Sequence, residues 1–490
     1  MSEPRLEPIQ EPGWAGLWAN RSTPAPPGHV YEAENYYLDD SRWSPMPGSE
    51  QLGPTLPGTP QAIAWFQRLD GAQFTVAIAG GNLYTYSYEF NTWTEVSTPS
   101  GVVIDPGATI DWCVARTHII FTDGTNSPWR WDGESDFEVL SEAPVANGCA
   151  VYYDRIFFWD IPGFETEFQW SRPGQPAQGY EGEDQVWEFA QTDTGRVRNI
   201  IPMNDFMVVL KADSGTYIQG FSEENFQVAA VREGVSDTEG SESLFGTLIA
   251  ENEPFFWGVN GPRMLQGGTR LIPMEMAGGA NMLRDILKDV DQNRLGDVRS
   301  FYDRRNKHVV FLLPRKDRDE INWAVVFSRE SESFSTLQLP LSWDVVATAS
   351  HAKEPAGDRW SLLALADGRI IRYGTEGRRH AGEAEPARVV STLYGRDTPH
   401  DEKRLVEIWL HGSSDNGVSR GRLSASVDGV EHPPKRLMQV AAGRHRRYRR
   451  GFNAIGATVQ WRMEFADPDD IFHLEAAEIF FTASSRHARP

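Results

Sequence analysis

Residues 62–96, AIAWFQRLDGAQFTVAIAGGNLYTYSYEFNTWTEV, decide the fold of this chain. Four short runs rich in aromatic and β-branched residues (AIAWFQ, FTVAIAG, GNLYTYSY and NTWTEV) are separated by turns built on Asp-Gly, Gly-Gly and Glu-Phe-Asn. Short runs bounded by such turn residues predict β-strands joined by tight turns. The stretch is therefore predicted to form one four-stranded antiparallel unit.

Comparable units recur along the chain with a loose period of about 40 residues. The further units begin near Val102, Gly148, Arg196, Ser243, Val298 and Trp343. This repetition predicts an all-β fold, a β-propeller of about seven blades over residues 54–380. A pair of stacked β-sandwiches is the alternative, and it fits less well because the turns and terminal aromatic residues recur once per unit.

Three further segments flank or interrupt the repeated units. Residues 1–53 are Pro-rich and predict an extended N-terminal arm with short strands at Asn35–Leu38 and Arg42–Met46. Apolar residues at helical spacing between Met282 and Val290 predict a short helical insertion near 278–297. The helix either packs on the propeller or contacts a neighbouring subunit.

Residues 381–490 have a different texture from the repeated units. The composition of Gly382–Pro386 predicts a linker. In the runs that follow, apolar and polar residues alternate, which predicts a C-terminal antiparallel β-sandwich. In the run 404–410, Leu405, Glu407 and Trp409 are predicted to face opposite to Val406 and Ile408, so that both faces of the strand are partly apolar.

Composition limits the functions that the chain can have. Its 490 residues carry a formal net charge of −22, and tight DNA binding is disfavoured because a sequence-independent DNA binder needs a basic surface. No apolar run reaches the roughly 18–20 residues of a membrane span, and the N-terminus has no signal-peptide pattern. We therefore expect no membrane span and assembly in a cytosol. Cys113 and Cys149 are expected to be buried free thiols.

Motifs that carry catalytic chemistry are missing from the sequence. It contains no phosphate-binding Gly loop, Rossmann fingerprint or nucleophile-elbow pattern, and its histidines have no metal-ligand spacing. No catalytic residue, cofactor or metal is therefore predicted, and the chain is not expected to be an enzyme.

Three weaker patterns keep a carbohydrate-active or metal-binding alternative open. Glycosidase-type propellers gather carboxylates at their centre, and the candidates here are Asp111, Asp154, Asp205 and Asp303. Aromatic residues that could stack on sugars are Trp129, Trp131, Trp159 and Trp170. Oxygen ligands spaced loosely as for calcium are Asp123, Asn126, Asp132 and Asp136.

One basic cluster, Arg444–Arg450, stands out against the acidic background. Arginines that alternate with a tyrosine could follow a nucleic-acid backbone. They could equally pair with acidic surface on a neighbouring subunit, because charge complementarity guides assembly. A solvated loop is the third reading.

Several short motifs resemble, in the same order, the propeller-bearing tail hub or nozzle proteins of short-tailed bacteriophages. The arm carries Pro26-Pro27-Gly28, Ala33-Glu34-Asn35, Leu38, Arg42 and Pro47-Gly48, with Met46 where the family pattern has Arg. Later matches are Tyr153–Phe157 with Ser171–Pro176, Phe206–Lys211 with Ser214–Ile218, and Glu233–Ser236 with Phe255–Gly261.

The resemblance implies a structural virion protein of the tail, assembled in the host cytoplasm. Such a protein forms a homo-oligomeric ring, usually a hexamer, that surrounds or seals the DNA exit channel during genome ejection. It contacts portal or adaptor proteins and tail fibres or a tail needle, and DNA passes without specific binding. A carbohydrate-binding or glycosidase-type propeller is the alternative function.

Ten residues are predicted to contribute to assembly. They are Trp14, Trp18, Asn35, Leu38, Arg42, Leu283, Ile286, Arg446, Arg447 and Arg449. The arm is expected to connect neighbouring subunits, so removal of residues 1–30 is expected to spare the fold and impair ring assembly.

Overall fold

Short antiparallel strands make up most of the chain, as its alternating runs and turn residues predict. The computed structural model describes residues 7–10, 14–96, 103–134, 138–174, 186–188, 195–212, 214–222, 225–230, 240–266, 270–277, 280–354, 357–383, 385–394, 403–415, 421–437, 446–467 and 471–483. Within these ranges the protein is all-β apart from one short α-helix and one 3-10 helix.

The arm contributes strands before the first repeated unit begins. They are β1 (Glu7–Gln10), β2 (Gly16–Leu17), β3 (His29–Glu34), β4 (Tyr36–Asp39), β5 (Arg42–Pro45) and β6 (Gly48–Gln51). The hairpin of β4 and β5 turns at Asp40 and Ser41, which both have positive φ. Such left-handed positions are typical of tight hairpin turns.

Four-stranded antiparallel sheets follow, and in each of them successive strands pair. The first two sheets contain β7 (Pro60–Gln67), β8 (Gln73–Ala79), β9 (Asn82–Ser87) and β10 (Thr92–Val96), then β11 (Asp111–Ala115), β12 (His118–Thr122), β13 (Trp129–Trp131) and β14 (Glu138–Val139). The third and fourth contain β15 (Gly148–Tyr152), β16 (Arg155–Ile161), β17 (Phe164–Trp170) and β18 (Val186–Glu188), then β19 (Val197–Pro202), β20 (Phe206–Lys211), β21 (Gly215–Gln219) and β22 (Gln227–Ala230). The fifth contains β23 (Thr247–Ala250), β24 (Glu253–Gly258), β25 (Gly261–Gln266) and β26 (Arg270–Pro273).

A small insertion precedes the sixth repeated unit. It consists of the hairpin β27 (Met276–Ala277) and β28 (Ala280–Asn281), helix α1 (Arg284–Asp289) and a 3-10 helix (Gln292–Asp297). The backbone N–H of Asp285 donates to Ala19 O at 2.8 Å, and the Asp285 carboxylate accepts from Arg21 N at 2.8 Å. The predicted helix is therefore present and packs on the arm of its own chain.

The last two repeated units close the series of sheets. They contain β29 (Arg299–Asp303), β30 (His308–Leu313), β31 (Trp323–Ser328) and β32 (Ser333–Gln338), then β33 (Val345–Lys353), β34 (Arg359–Leu365) and β35 (Ile370–Thr375). The fourth strand beside β35 is β6 from the arm. The first strands of successive sheets contact one another in order, and β33 contacts β7, so the sheets form a closed ring of β-propeller type.

The C-terminal strands fall into two sheets that both recruit the arm. They are β36 (Ala387–Ser391), β37 (Lys403–Ser414), β38 (Arg422–Val427), β39 (Val430–Arg436), β40 (Arg446–Gly456), β41 (Val459–Phe465) and β42 (Phe472–Ala483). One sheet runs β3-β36-β41-β38-β39, and it continues the sixth unit because β3 also pairs with β32. The other runs β4-β5-β42-β37-β40, with β1 beside β42.

A single hydrophobic core joins these two sheets to the arm. The ring of Trp14 lies edge-on to Trp43 and Trp461, with centroid separations of 6.5 and 6.3 Å. Its Nε1 donates to Glu475 O at 2.8 Å. Fully burying one large apolar side chain contributes roughly 1.5–3 kcal/mol. The arm from Trp14 onward therefore packs in the core of its own chain, and we now expect removal of residues 1–30 to destabilise the fold.

Candidate functional site

The basic cluster of the sequence forms a patch on the outer face of the second C-terminal sheet. Arg447 and Arg449 lie two residues apart on β40, so both are exposed on one face, whereas Tyr448 between them is buried. Their guanidinium carbons lie 4.5 and 4.6 Å from the ring centroid of Trp409 on β37. At these distances a cation is attracted to the ring face. We call Arg447, Arg449, Trp409 and Glu407 the arginine–tryptophan patch.

Glu407 holds this patch in place. Its carboxylate accepts from Trp409 Nε1 at 2.7 Å and pairs with Arg449 at 3.0 Å. The hydrogen bond from Trp409, followed by Arg449, lowers the pKa of Glu407, so the carboxylate is ionised at neutral pH. Arg447 forms no ion pair with any residue that the structure describes. The patch thus presents a net positive charge, fixed in orientation, on an acidic protein.

A register shift exposes Trp409. The sequence pattern places Leu405, Glu407 and Trp409 on one face, but Leu405 is buried while Glu407 and Trp409 point outward. The pairing of β37 with both neighbouring strands shifts between Leu405 and Glu407. Such a bulge moves the residues that follow it to the opposite face. Sequence reasoning identified the arginines but not the tryptophan and glutamate that orient them.

Four predicted assembly residues of the arm lie inside the chain. Trp14, Trp18, Asn35 and Leu38 are all buried. Trp18 packs edge-on against His29, at a centroid separation of 5.5 Å. These side chains pack within their own chain, and their role in assembly stays a prediction.

Asn35 shows how the arm joins the two parts of the protein. Its φ of +57° lies in the left-handed region that asparagine tolerates better than most residues. Its amide Oδ1 accepts from Gln338 N at 2.7 Å, and its Nδ2 donates to Pro386 O at 3.0 Å. One side chain thus connects the sixth repeated unit to the segment that begins the C-terminal sheets.

The other predicted assembly residues divide between the core and the surface. Leu283 precedes α1 and Ile286 lies within it; both are buried in the main core of their own chain, and their inter-subunit contact stays a prediction. Arg42 is partly exposed and pairs with Asp39 at 3.2 Å. Arg446 begins β40, and its side chain lies outside the described residues. Arg42, Arg447 and Arg449 therefore remain as surface candidates, all on one sheet.

The carboxylates proposed for a glycosidase site serve separate purposes. Asp154 pairs with Arg116 Nε at 2.7 Å, while Asp303 accepts from Arg305 N and Asn306 Nδ2 in its own turn. Asp205 is exposed. The structure does not place these groups around one substrate position.

The tryptophans of the sugar-binding alternative do not reach the surface. Trp129, Trp131, Trp159 and Trp170 are all buried in the cores between sheets. They contribute packing rather than a platform for sugars, because a buried ring has no free face.

The calcium alternative has the wrong hydrogen-bond chemistry. The Asp123 carboxylate accepts from Thr125 N, Asn126 N and Asn126 Nδ2 at 2.7–2.9 Å. Its oxygens are therefore occupied by donors of its own turn. Asp136 lies outside the described residues, and the described part of the chain holds no cluster of three or more metal-ligating side chains.

A cavity of about 760 Å³ lies at the centre of the ring, where β11, β15, β19, β23, β29 and β33 meet. Polar side chains on these strands bond across neighbouring sheets. Thr348 Oγ1 donates to Ser300 O at 2.8 Å, and the Asp111 carboxylate accepts from Cys149 N at 2.9 Å. Burial raises the pKa of Asp111 to about 7 and also raises the pKa of the Cys149 thiol. Both cysteines are free and buried.

The raised pKa of Asp111 predicts a pH-dependent stability. Burial disfavours the ionised form of Asp111 in the folded chain. The stability that the protonated carboxyl group contributes is therefore fully present below about pH 4 and is lost as the pH rises through about 7. As the pH rises from 5 to 8, the unfolding free energy of the Asp111→Asn variant should increase by about 2–3 kcal/mol relative to that of wild type. Urea titrations of both proteins at each pH measure this difference.

Asp205→Asn, at an exposed position, is the matched control and should follow wild type. Burial lowers the pKa of His308 to about 3, which has the opposite effect on the pH dependence of stability. This effect cancels when the variant and wild type are compared at the same pH. A constant difference between Asp111→Asn and wild type from pH 5 to 8 would contradict the assignment.

The closed ring of four-stranded sheets defines the chain as an all-β protein of β-propeller type. No protein-family model matches the chain, and neither does any curated protein. The chain is similar to the solved structure of YCF48 bound to D1 peptide, at 8% identity over 68% of this chain and 100% of that chain, with a TM-score of 0.42.

Two further solved structures show likenesses of the same order. The N-terminal domain of Nup159 is 10% identical over 70% of this chain and 98% of its own, with a TM-score of 0.41. The extracellular domain of the putative one component system BT4673 from B. thetaiotaomicron is 11% identical over 94% of this chain and 66% of its own, with a TM-score of 0.43. Likenesses this weak carry no inference about function. Among the described residues, no helix has the length and apolar character to cross a membrane.

Proposed function

We propose that this chain is a structural virion protein, a ring-forming tail hub or nozzle of a short-tailed bacteriophage. The resemblance of its ordered sequence motifs to that family supports the proposal. The observation that carries it is the arginine–tryptophan patch, an exposed and rigidly held positive site on a chain of net charge −22.

The fold proposed for this function is a seven-bladed propeller with an appended C-terminal sandwich. Six four-stranded sheets, together with the strands β29 to β32 of the largest sheet, support the proposed count of seven blades. The two C-terminal sheets, which share one core, are the proposed sandwich. The arm contributes strands to both parts: β6 pairs with β35 of the propeller, and β4 and β5 belong to a C-terminal sheet.

A second copy of the chain is the proposed partner of the patch. Complementary charges steer association and fix the relative position of the partners. The chain has a net charge of −22, so a second copy offers acidic surface to the patch. Because the Debye length is about 8 Å at physiological ionic strength, such a contact weakens as salt is added. In a ring of this kind the portal or adaptor, the tail fibres or needle, and the passing DNA are the further partners.

Reversal of the two patch charges is expected to prevent ring formation. The variant Arg447→Glu with Arg449→Glu places two carboxylates beside Glu407, so the patch repels the acidic surface that it is proposed to bind. Sedimentation velocity at low and high salt measures the result. We expect wild-type rings that weaken with salt, and a variant that stays monomeric at both.

Arg404→Glu is the matched control. Arg404 is an exposed arginine on β37 of the same sheet, and its Nε donates to Oδ1 of the exposed Asn453 at 2.8 Å. This variant should assemble as wild type does. Rings of unchanged stability in the double variant would refute the role of the patch, and a wild-type chain that is monomeric at every concentration would refute the proposed function.

A further inference from the structure

A serine, a histidine and an aspartate form a connected chain between the arm and the second C-terminal sheet. Ser44 Oγ on β5 lies 2.9 Å from His473 Nδ1 on β42. His473 Nε2 lies 3.0 Å from Asp415 Oδ2, one residue beyond the end of β37. The three residues come from distant parts of the sequence, so no local sequence motif predicts that they lie together.

All three residues line one cavity of about 180 Å³ between this sheet and the turns of the last two propeller units. Ser44 is buried, the His473 side chain is 12% exposed, and the Asp415 side chain is 64% exposed. Arg305 and Asn306 also line it. The serine therefore lies beside an open, partly polar cavity, and the Asp415 carboxylate is in contact with solvent.

The arrangement meets the geometric requirements for an activated serine. A nucleophile and a base lie within hydrogen-bond reach, and a third group orients the base. The pairing is consistent with a neutral imidazole that donates from Nε2 to Asp415 and accepts the Ser44 hydroxyl proton at Nδ1. Relative to the Ser-His-Asp triad of serine proteases the two ring nitrogens are exchanged, while the direction of proton transfer is the same.

We propose that Ser44, His473 and Asp415 form a hydrolase site for short acyl esters. Ser44 Oγ attacks the ester carbonyl carbon while His473 Nδ1 takes the hydroxyl proton. The carbonyl–oxygen bond to the alcohol then breaks, and the alcohol leaves with that proton. Water, deprotonated by His473, attacks the acyl-serine and releases the carboxylic acid and free Ser44.

The size of the cavity and its charge limit the substrate class. Drug-sized ligands occupy roughly 300–1,000 Å³, so a cavity of about 180 Å³ suits an acetyl or similarly short acyl group. Arg305 also lines this cavity, and its guanidinium lies 3.6 Å from Glu376 and 5.5 Å from the ring centroid of Trp360, so the cavity carries a cation that favours a substrate with a carbonyl or carboxyl oxygen.

The test uses the full-length chain with a fluorophosphonate probe and with p-nitrophenyl acetate. We expect the probe to label Ser44, located by peptide mapping, and we expect slow turnover of the ester. Ser44→Ala and His473→Gln should each lower kcat/KM by at least about 100-fold. Asp415→Asn should lower kcat more than it raises KM and should alter the pH profile, because Asp415 positions the imidazole.

Ser49→Ala is the matched control. Ser49 Oγ lies 3.1 Å from His380 Nδ1, but both residues are buried and line neither this cavity nor the central one. This variant should keep wild-type labelling and turnover. Absence of label on Ser44 in the folded wild-type chain would overturn the proposal, whatever the stability of the variants. Unchanged turnover in Ser44→Ala would overturn it as well.

Discussion

Removal of residues 1–30 is expected to abolish cooperative folding of the C-terminal sheets. The deletion takes away Trp14, Leu17, Trp18 and Val30, all of which are buried. It also removes β1 and β2 and the first residues of β3. Circular dichroism melting and limited proteolysis of the truncated chain should show loss of the main transition and early cleavage after residue 381.

The point variant Trp14→Ala separates the effect of lost packing from the effect of shortening the chain. Trp14→Ala should cost about 3–5 kcal/mol of unfolding free energy, because it removes the ring between Trp43 and Trp461 and the bond to Glu475 O. Removal of residues 1–6, which precede β1, is the matched truncation and should leave the melting temperature unchanged. Wild-type stability in the longer truncation would show that the arm does not pack in its own chain.

Replacement of Glu275 by alanine is expected to destabilise the propeller strongly. Arg263 Nη1 lies 2.5 Å from Glu275 Oε2, and the two side chains are only 2% and 3% exposed. Removing one partner breaks a buried ion pair, which costs about 3–5 kcal/mol. Urea unfolding of Glu275→Ala measures this loss.

An exposed ion pair supplies the control for that experiment. Lys307 and Glu330 lie 3.5 Å apart with side-chain exposures of 47% and 58%, so Glu330→Ala should change stability by no more than about 1 kcal/mol. The double variant Arg263→Met with Glu275→Met should recover much of the loss, because two apolar side chains then replace the ion pair. Equal effects of Glu275→Ala and Glu330→Ala would contradict the assigned burial.

The strands of the propeller could be predicted because their signals are local. Residues 62–96 carry both the alternating runs and the turn residues, and β7 to β10 lie within or beside that stretch. Pairing between distant segments has no local signal. The addition of β6 to β35, and of β3 between β32 and β36, depends on contacts between opposite ends of the chain.

The candidate sites also combine residues that have a local sequence signal with residues that only distant strand pairing brings together. Arg447 and Arg449 were identified from their spacing on one strand, whereas Trp409 became their partner through a bulge after Leu405 that the sequence pattern does not show. Ser44 and His473 meet only because β5 pairs with β42 at Trp43 and Leu474. Burial of Trp14 and Leu283 could not be distinguished beforehand from an inter-subunit contact, since both readings need apolar residues.

The central claim is that this chain assembles into a ring through its own surface. Negative-stain electron microscopy of the purified full-length protein at low salt, with mass photometry of the same sample, tests it most directly. The account predicts closed rings with a central opening and a mass that is a whole multiple of 55.1 kDa. A uniform population of 55.1 kDa monomers at every concentration would contradict it.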